Sequence, residues 1–317
     1  FFKVVYRRHT NFSMESIEQT WSGDETGTGR CTATISRNGD LVHRMYLEHD
    51  ASFTASDDKE VGIGCDYGSH VMKEVELEIG GQRIDKHYGH WHSVYSQLTE
   101  FNPTGSQTTL FNSMSGNGTG LFSHPSNTNN RGWIIQSKSD PTVKGKFWIP
   151  LYFWFCRNPG LALPLIALQY HEVKVKITFE DIGKLIGIDA NDGDYDGSNC
   201  TPGELSNRTS GETDFKLWCD YIYLDTDERR RFAQVSHEYL IEQVQREAVD
   251  ADKSTLKLNF NHPVKELIWT NGEAGTAWTT QKAKLQLNGH DRFAQQDREY
   301  FQVRQPLDHH TAVPGYN

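Results

Sequence analysis

The sequence predicts an all-β protein in which one sheet-forming unit occurs twice in tandem as two antiparallel sandwiches, the second of them incomplete. Three observations support this fold class. Apolar and polar residues alternate in many short segments, aromatic residues and glycine are abundant (16 Phe, 13 Tyr, 8 Trp and 27 Gly), and sequence blocks of the first half recur in the second. The length of 317 residues exceeds the usual ~100–200 residues of one domain, so two domains are expected.

Period-two alternation identifies the predicted strands. In Val75–Ile79 and Val173–Phe179 every second side chain is apolar, and the first run ends at Gly80-Gly81. Such a strand buries one face and exposes the other, which is typical of antiparallel sandwiches. Looser alternation extends the prediction to residues 215–223, 256–260 and 285–287. One short helix is predicted over Trp91–Phe101, directly after a strand.

Long polar segments separate the predicted strands: Ala51–Gly68, Asn102–Lys144 and Asp181–Thr213. Connections of this length usually lie on the surface of a compact domain. We therefore predict long surface loops on a rigid sheet scaffold, a role that requires no chemistry.

An internal repeat determines the predicted architecture. Three blocks recur in the same order: Ile17-Glu18-Gln19 as Ile241-Glu242-Gln243; Ile35, Asn38 and Leu41 as Leu258, Asn261 and Val264; and Leu77-x-Ile79-x-Gly81 as Leu285-x-Leu287-x-Gly289. The offset is 224 residues in the first block and 208 in the last. A falling offset is expected if the copies differ mainly in loop length.

The repeat places the first domain at residues 1–228 and the second at 229–317. The second copy lacks counterparts of the strands between Lys146 and Asp225, and an unclosed sandwich would expose unpaired strand edges. The chain also begins with Phe1 rather than Met. We therefore expect the sequence to be a fragment of a longer protein at both ends.

Composition argues against several classes of function. The net charge of -10 disfavours direct nucleic-acid binding, which usually needs a basic surface. Five widely spaced cysteines without a CxxC motif indicate buried reduced thiols. No run approaches the ~20 apolar residues of a membrane span. The basic run Arg229–Arg231 follows the acidic segment Asp225–Glu228, which supplies counter-charge, and ion pairs between subunits are expected there.

Metal-binding candidates are weak. His87, His90 and His92 form an HxxHxH pattern, but no Cys, Asp or Glu completes a close ligand set in the sequence. Asp192, Asp194 and Asp196 imitate the start of an EF-hand loop, yet the twelfth position is Gly203 rather than Glu. A solvated acidic loop or weak calcium binding is predicted there, and no cofactor is expected.

Sequons suggest glycosylation at Asn117, Asn199 and Asn207, all in the predicted surface loops. A further sequon at Asn11 lies in a segment expected to be buried, which makes it a poor acceptor. Catalytic motifs such as HExxH, GxSxG and a phosphate-binding loop do not occur in the sequence. We therefore predict a protein that is not an enzyme.

The longer blocks carry a family resemblance, and they include Phe2–Phe12, Ile35–Leu41, Val75–Tyr88, Pro159–Val173, Asp220–Thr226, His237–Gln243 and Leu287–Phe293. On these residues the sequence resembles the major capsid proteins of nucleocytoplasmic large DNA viruses, especially those of phycodnavirus-like algal viruses. The resemblance spans nearly the whole chain, and the connecting loops do not obviously match.

The resemblance implies two eight-stranded jelly rolls side by side, forming a double jelly roll. It implies homotrimers of pseudo-hexagonal outline that tile an icosahedral shell, assembled in the host cytoplasm and incorporated into the virion. Neighbouring capsomers are expected partners, with minor capsid proteins and an internal membrane as further ones. Two alternatives stay open: a minor capsid or scaffolding paralogue, and a carbohydrate-binding jelly-roll protein. Sugar sites gather aromatics on one face, whereas here we expect the Trp residues in core segments.

Overall fold

A computed structural model describes residues 10–23, 29–54, 60–63, 66–100, 110–117, 142–181, 185–189, 200–202, 215–248, 255–270 and 282–311. The chain forms two compact units. The first comprises Phe1–His92 with Ser106–Gln243, and the second comprises Ser93–Gly105 with Val244–Asn317. The candidate calcium ligands Asp192, Asp194 and Asp196 lie outside the described residues, as do Asn199 and Asn207.

The strands, in chain order, are β1 (Phe12–Gln19), β2 (Trp21–Gly23), β3 (Arg30–Thr34), β4 (Leu41–Thr54), β5 (Glu60–Ile63), β6 (Met72–Ile79), β7 (Gln82–Tyr88), β8 (Thr142–Pro150), β9 (Leu163–Pro164), β10 (Val173–Phe179), β11 (Ile186–Asp189), β12 (Cys200–Pro202), β13 (Phe215–Leu224), β14 (Lys282–Ala283), β15 (Gln286–Leu287), β16 (His290–Asp291) and β17 (Gln296–Asp297). The helices are α1 (Tyr67–His70), α2 (Gly89–Thr99), α3 (Leu110–Ser115), α4 (Thr226–Gln234) and α5 (Gln305–His309). Single turns of 3-10 helix lie at Trp154–Cys156 and Pro159–Leu161, and a π-helical turn lies at Tyr300–Arg304.

The first unit is a sandwich of two antiparallel sheets. Sheet A has the strand order β1-β13-β4-β8, with β9 beside β4, and sheet B has the order β2-β3-β10-β6-β7. Neighbours in each sheet are mostly distant in sequence, so the chain crosses repeatedly from one sheet to the other. This crossing pattern is that of a jelly roll, which closes a core between two sheets.

Alternation in sequence becomes alternation in burial. In β10, Val173, Val175, Ile177 and Phe179 are all at most 5% exposed, while the lysines between them are half-buried on the other face. The inward side chains of both sheets form one hydrophobic core that includes Phe153, Phe155 and Phe215. The predicted all-β class and the predicted alternating strands of this unit are therefore confirmed.

A tyrosine joins the two halves of this sandwich. The Tyr221 hydroxyl on β13 donates a hydrogen bond of 2.6 Å to the Ser36 carbonyl and lies 3.0 Å from Gln19 Oε1. Gln19 Oε1 also accepts a 2.9 Å hydrogen bond from the Ser36 backbone N–H. Gln19 belongs to the first block of the internal repeat, so this block has a structural role in joining β1 to the start of the next segment.

The third block of the repeat forms the same turn in both copies. Gly80 and Gly81, with φ of 59° and 83°, link β6 to β7, and Asn288 and Gly289, with φ of 53° and 79°, link β15 to β16. Two successive residues with positive φ make the tight turn that suits a two-residue hairpin, and Gly and Asn adopt it most readily. The two copies inferred from the sequence therefore share the same backbone geometry at this turn.

The described part of the second unit has less regular structure than the first. Its strands β14 to β17 have two residues each. The alternating segment 256–260 was expected to be a strand, but residues 255–270 contain none. No strand pairing forms there because the backbone N–H groups of Asn259 and Asn261 donate to the side chains of Glu247 and Gln245 rather than to a neighbouring strand.

Helices are few, as predicted. The expected helix over Trp91–Phe101 is confirmed as α2, shifted to Gly89–Thr99. The predicted loops are less irregular than expected, since they contain β5, α1, α3, β11 and β12. Within the described residues no helix is both long and apolar enough to cross a bilayer.

Candidate functional site

The histidine pattern beside β7 is split between two environments. His87 and His92 are fully buried, with ring centroids 5.5 Å apart, whereas His90 is half-buried and lies near His70. His87 Nε2 lies 2.8 Å from Asp85 Oδ2, a carboxylate that is also buried. Among the described residues no group of three His, Cys, Asp or Glu side chains is placed to hold a metal ion. His87 and His92 therefore act as core residues.

Burial controls the charge of His92. Desolvation lowers its pKa from 6.5 to about 3, and the neighbouring His87 adds to the lowering. The ring also packs against Tyr152, at a centroid distance of 5.3 Å. His92 is consequently neutral at any pH at which the protein would be handled, and protonating it requires opening the core.

Two other histidines are buried in sheet A. His43 Nδ1 lies 3.1 Å from the Phe155 carbonyl, and burial lowers the pKa of this imidazole. His49 stacks in parallel on Phe215, with centroids 4.1 Å apart, and its Nε2 lies 2.7 Å from the Tyr67 hydroxyl. Both rings thus serve as polar members of the core.

Asn117, a predicted glycosylation candidate, is buried at 4% exposure. Its Oδ1 accepts from the Ser69 backbone N–H at 2.9 Å, and its Nδ2 donates to Ser69 Oγ at 2.7 Å. Gly68 in α1 lies so close to the end of α3 that an added Cβ would be 1.7 Å from the Ser115 carbonyl oxygen. The amide joins α3 to α1, and a glycan on it would require these bonds to break. Glycosylation here stays a prediction.

The basic run on α4 is only partly neutralised. Arg229 Nε pairs with Asp40 Oδ1 at 2.9 Å, and the Leu224 N–H donates to the other oxygen of this buried carboxylate at 2.8 Å. Arg230 and Arg231 have side chains 71% and 77% exposed, with contacts of 3.9 and 4.0 Å to Asp227 and Glu228. The pair with Asp40 fixes α4 to the sandwich. Ion pairs between subunits stay a prediction.

Three thiols lie in the core. Cys31, Cys156 and Cys219 are buried and form no disulfide. Burial raises the pKa of Cys156 to about 12 and raises that of Cys219 well above its ordinary value. A thiol with a raised pKa forms little thiolate, which is the reactive species.

The outward face of sheet B is covered by paired charges, and we call it the ion-pair face. On β6, Glu76 pairs with Arg30, Arg83 and Lys86, and Lys86 also lies 2.8 Å from Glu74. The remaining pairs on or beside this face are Lys176 with Glu78 and Lys174 with Glu172. Large exposed apolar side chains are not found on the strands of this sheet.

The outward face of sheet A is different, and we call it the aromatic face. Trp148 on β8 is 40% exposed, and Trp218 and Tyr46 are half-buried cross-strand partners on β13 and β4. On β1, Phe12 is 63% and Met14 is 48% exposed. The Trp residues were expected in core segments, and for Trp148 and Trp218 this expectation is wrong. The flanking core residues Phe147, Ile149, Leu217 and Cys219 point inward instead.

Comparison with known proteins identifies the family. A model of the major capsid protein N-terminus matches residues 1–225, and one of the large eukaryotic DNA virus major capsid protein matches residues 228–276. The chain is 47% identical to the major capsid protein of Pyramimonas orientalis virus, covering 99% of the chain and 71% of that protein. The chain is 43% identical to that of Phaeocystis pouchetii virus, covering 85% of the chain and 53% of that protein.

A solved structure matches over the same extent. The capsid protein in a quasi-atomic model of the PBCV-1 virus capsid superposes with a TM-score of 0.70 at 33% identity, covering 99% of this chain and 78% of that one. The curated capsid protein of Paramecium bursaria Chlorella virus 1 is 36% identical over 96% of the chain. The chain therefore belongs to the major capsid protein family of large eukaryotic DNA viruses and has the double jelly-roll fold of that family.

Proposed function

We propose that this protein is the principal building block of an icosahedral viral shell, acting as a homotrimer of pseudo-hexagonal outline. The observation that carries the proposal is the duplication, expressed as the same two-residue turn at Gly80-Gly81 and Asn288-Gly289. A hexagonal tile needs six similar wedges. Three chains that each contribute two wedges supply them, and cyclic closure limits the assembly to a defined size.

The two wedges correspond to residues 1–228 and 229–317 in this proposal. The boundary between the two family models, at residues 225 and 228, supports this division. Helix α4 begins at Thr226, close to this proposed boundary.

A structural role in the virion capsid follows from the family. We infer that the protein performs no catalysis, that it assembles in the host cytoplasm, and that its partners are its own copies, neighbouring capsomers, minor capsid proteins and an internal membrane. The net charge of -10 supports the inference that it does not bind the genome directly.

Mass and abundance together test this function. The protein isolated from virions should dominate their protein content and should sediment as a trimer. A stable monomer that retains a sugar would favour a carbohydrate-binding jelly roll instead. A trimer present in only a few copies per virion would identify a minor capsid paralogue.

Surface modification is a separate proposal. Glycans are expected at Asn199 and Asn207 before Asn117, because the Asn117 amide is buried and bonded to Ser69. Glycopeptide mass spectrometry would decide among these positions. Weak calcium binding at Asp192, Asp194 and Asp196 would raise the melting temperature in millimolar calcium, and alanine at these positions should abolish that rise.

A further inference from the structure

The two outward faces of the first sandwich differ in their side chains, and the alternation of apolar and polar residues along the strands does not by itself require this difference. On the ion-pair face, the Glu side chains of β6 have partners, and Glu76 alone contacts Arg30, Arg83 and Lys86. Charges that are paired with each other in this way remain favourable in water. The described strands of that face also expose no large apolar side chain.

The aromatic face is built differently. Across sheet A, Trp218 lies opposite Tyr46 in register, and Trp148 lies opposite Glu48 on the neighbouring strand pair. Exposed tryptophan on the flat side of a sheet leaves a large apolar area in water, and such residues are enriched at the centres of protein interfaces. The ring of Trp148 makes a cation–π contact with Lys146, whose Nζ lies 5.7 Å from the ring centroid.

Part of the aromatic face is already covered by the first unit itself. At the end of sheet A near α4, a small apolar cluster buries Leu41, Ala162 and Ile222, with Leu224 and Phe232 packed against it. Met14 pairs in register with Ile222, yet it is 48% exposed while Ile222 is 6% exposed. The apolar surface thus continues from a covered region into an uncovered one, through Met14 and Phe12.

The charges around these apolar residues identify the kind of partner. Arg44, Lys146 and Lys216 alternate with Glu18, Glu48 and Asp50 on outward positions of the same sheet. Lys146 pairs with Glu48 at 2.7 Å, and Lys216 lies 3.6 Å from Glu18. This face therefore presents no excess of positive charge to a polyanion or an anionic lipid surface, whereas a protein surface of mixed charge suits it.

We propose that the aromatic face is a contact surface between copies of this chain, with Trp148 and Met14 in the contact. This inference rests on the proposed self-assembling function and names the surface through which it acts. The ion-pair face is left out of this proposed contact.

The test compares substitutions on the two faces in the complete protein. Trp148→Glu combined with Met14→Glu places two charges on the aromatic face, and Thr32→Glu places one on the ion-pair face opposite Lys176. Loss of one central tryptophan typically weakens an interface by about 30-fold or more. Analytical ultracentrifugation should show the double variant dissociating at concentrations where the wild type and Thr32→Glu remain trimeric.

A second measurement does not depend on the variants folding. Limited peroxide oxidation of the wild type should modify Met14 more slowly in the assembled protein than after dissociation, while the buried Met45 and Met72 serve as internal references. A wild type that is monomeric at every concentration would refute the proposed trimer itself. A trimeric wild type whose Met14 oxidises at the same rate in both states, or a double variant that stays trimeric, would overturn only the assignment of this face.

Discussion

Acid should destabilise the first unit through His92. Above pH 6.5 the imidazole is neutral in both the folded and the unfolded chain, so it contributes no pH dependence. Below pH 6.5 the unfolded chain takes up a proton that the folded chain refuses, because burial lowers the pKa of His92 from 6.5 to about 3. The free energy of unfolding therefore falls by about 1.4 kcal/mol per pH unit through this window, reaching a loss of about 2 kcal/mol at pH 5.

Urea denaturation at pH 7.5 and pH 5 measures this loss. His92→Gln removes the titrating group, so its unfolding free energy should change less between the two pH values than that of the wild type, by about 2 kcal/mol. The groups facing His92 are His87, with Asp85 beyond it, and Tyr152. They remain in the variant, so the difference reports His92 alone.

His90→Gln is the matched control, because it removes an imidazole from the same helix at a half-buried position. It keeps His92, so it should retain the loss of about 2 kcal/mol between pH 7.5 and pH 5 that is assigned to His92. If His92→Gln kept the full wild-type dependence on pH, the burial argument for this residue would be refuted.

Three further substitutions probe other contacts. Asp40→Ala should lower the unfolding free energy by about 1–3 kcal/mol, because it leaves the half-buried Leu224 N–H without its acceptor and releases Arg229; chemical denaturation would detect it. Asn117→Ala should cost about 1–3 kcal/mol by removing the side-chain hydrogen bonds to Ser69, and protease cleavage near α3 should accelerate. Gly80→Ala should cost about 1 kcal/mol or more, since the position has φ of 59° and the new Cβ would lie 2.6 Å from a His171 ring nitrogen; Gly81→Ala, with open space around it, should cost less.

Strand positions and the duplication were predictable from sequence because both depend on local periodicity. Val75–Ile79 and Val173–Phe179 alternate, and they pair with each other in β6 and β10. The hairpin at Asn288-Gly289 was recognisable because its turn demands residues that tolerate positive φ.

The aromatic face was not predictable in the same way. In Phe147-Trp148-Ile149 all three side chains are large and apolar, so alternation does not reveal which of them points outward. Only pairing with β4 determines that Phe147 and Ile149 are buried and Trp148 is not. Asn117 presents the opposite case, because its polar neighbours suggest exposure and its partner Ser69 lies 48 residues away.

The burial of Cys31, Cys156 and Cys219 bears on how a particle survives outside its host. In an oxidising medium, accessible thiolates on neighbouring copies would form disulfides and stiffen the coat. The buried Cys156 and Cys219 thiols, whose pKa values burial raises, form little thiolate for that reaction. Burial at these three positions thus prevents disulfide formation from changing the mechanical properties of the coat when its surroundings become oxidising.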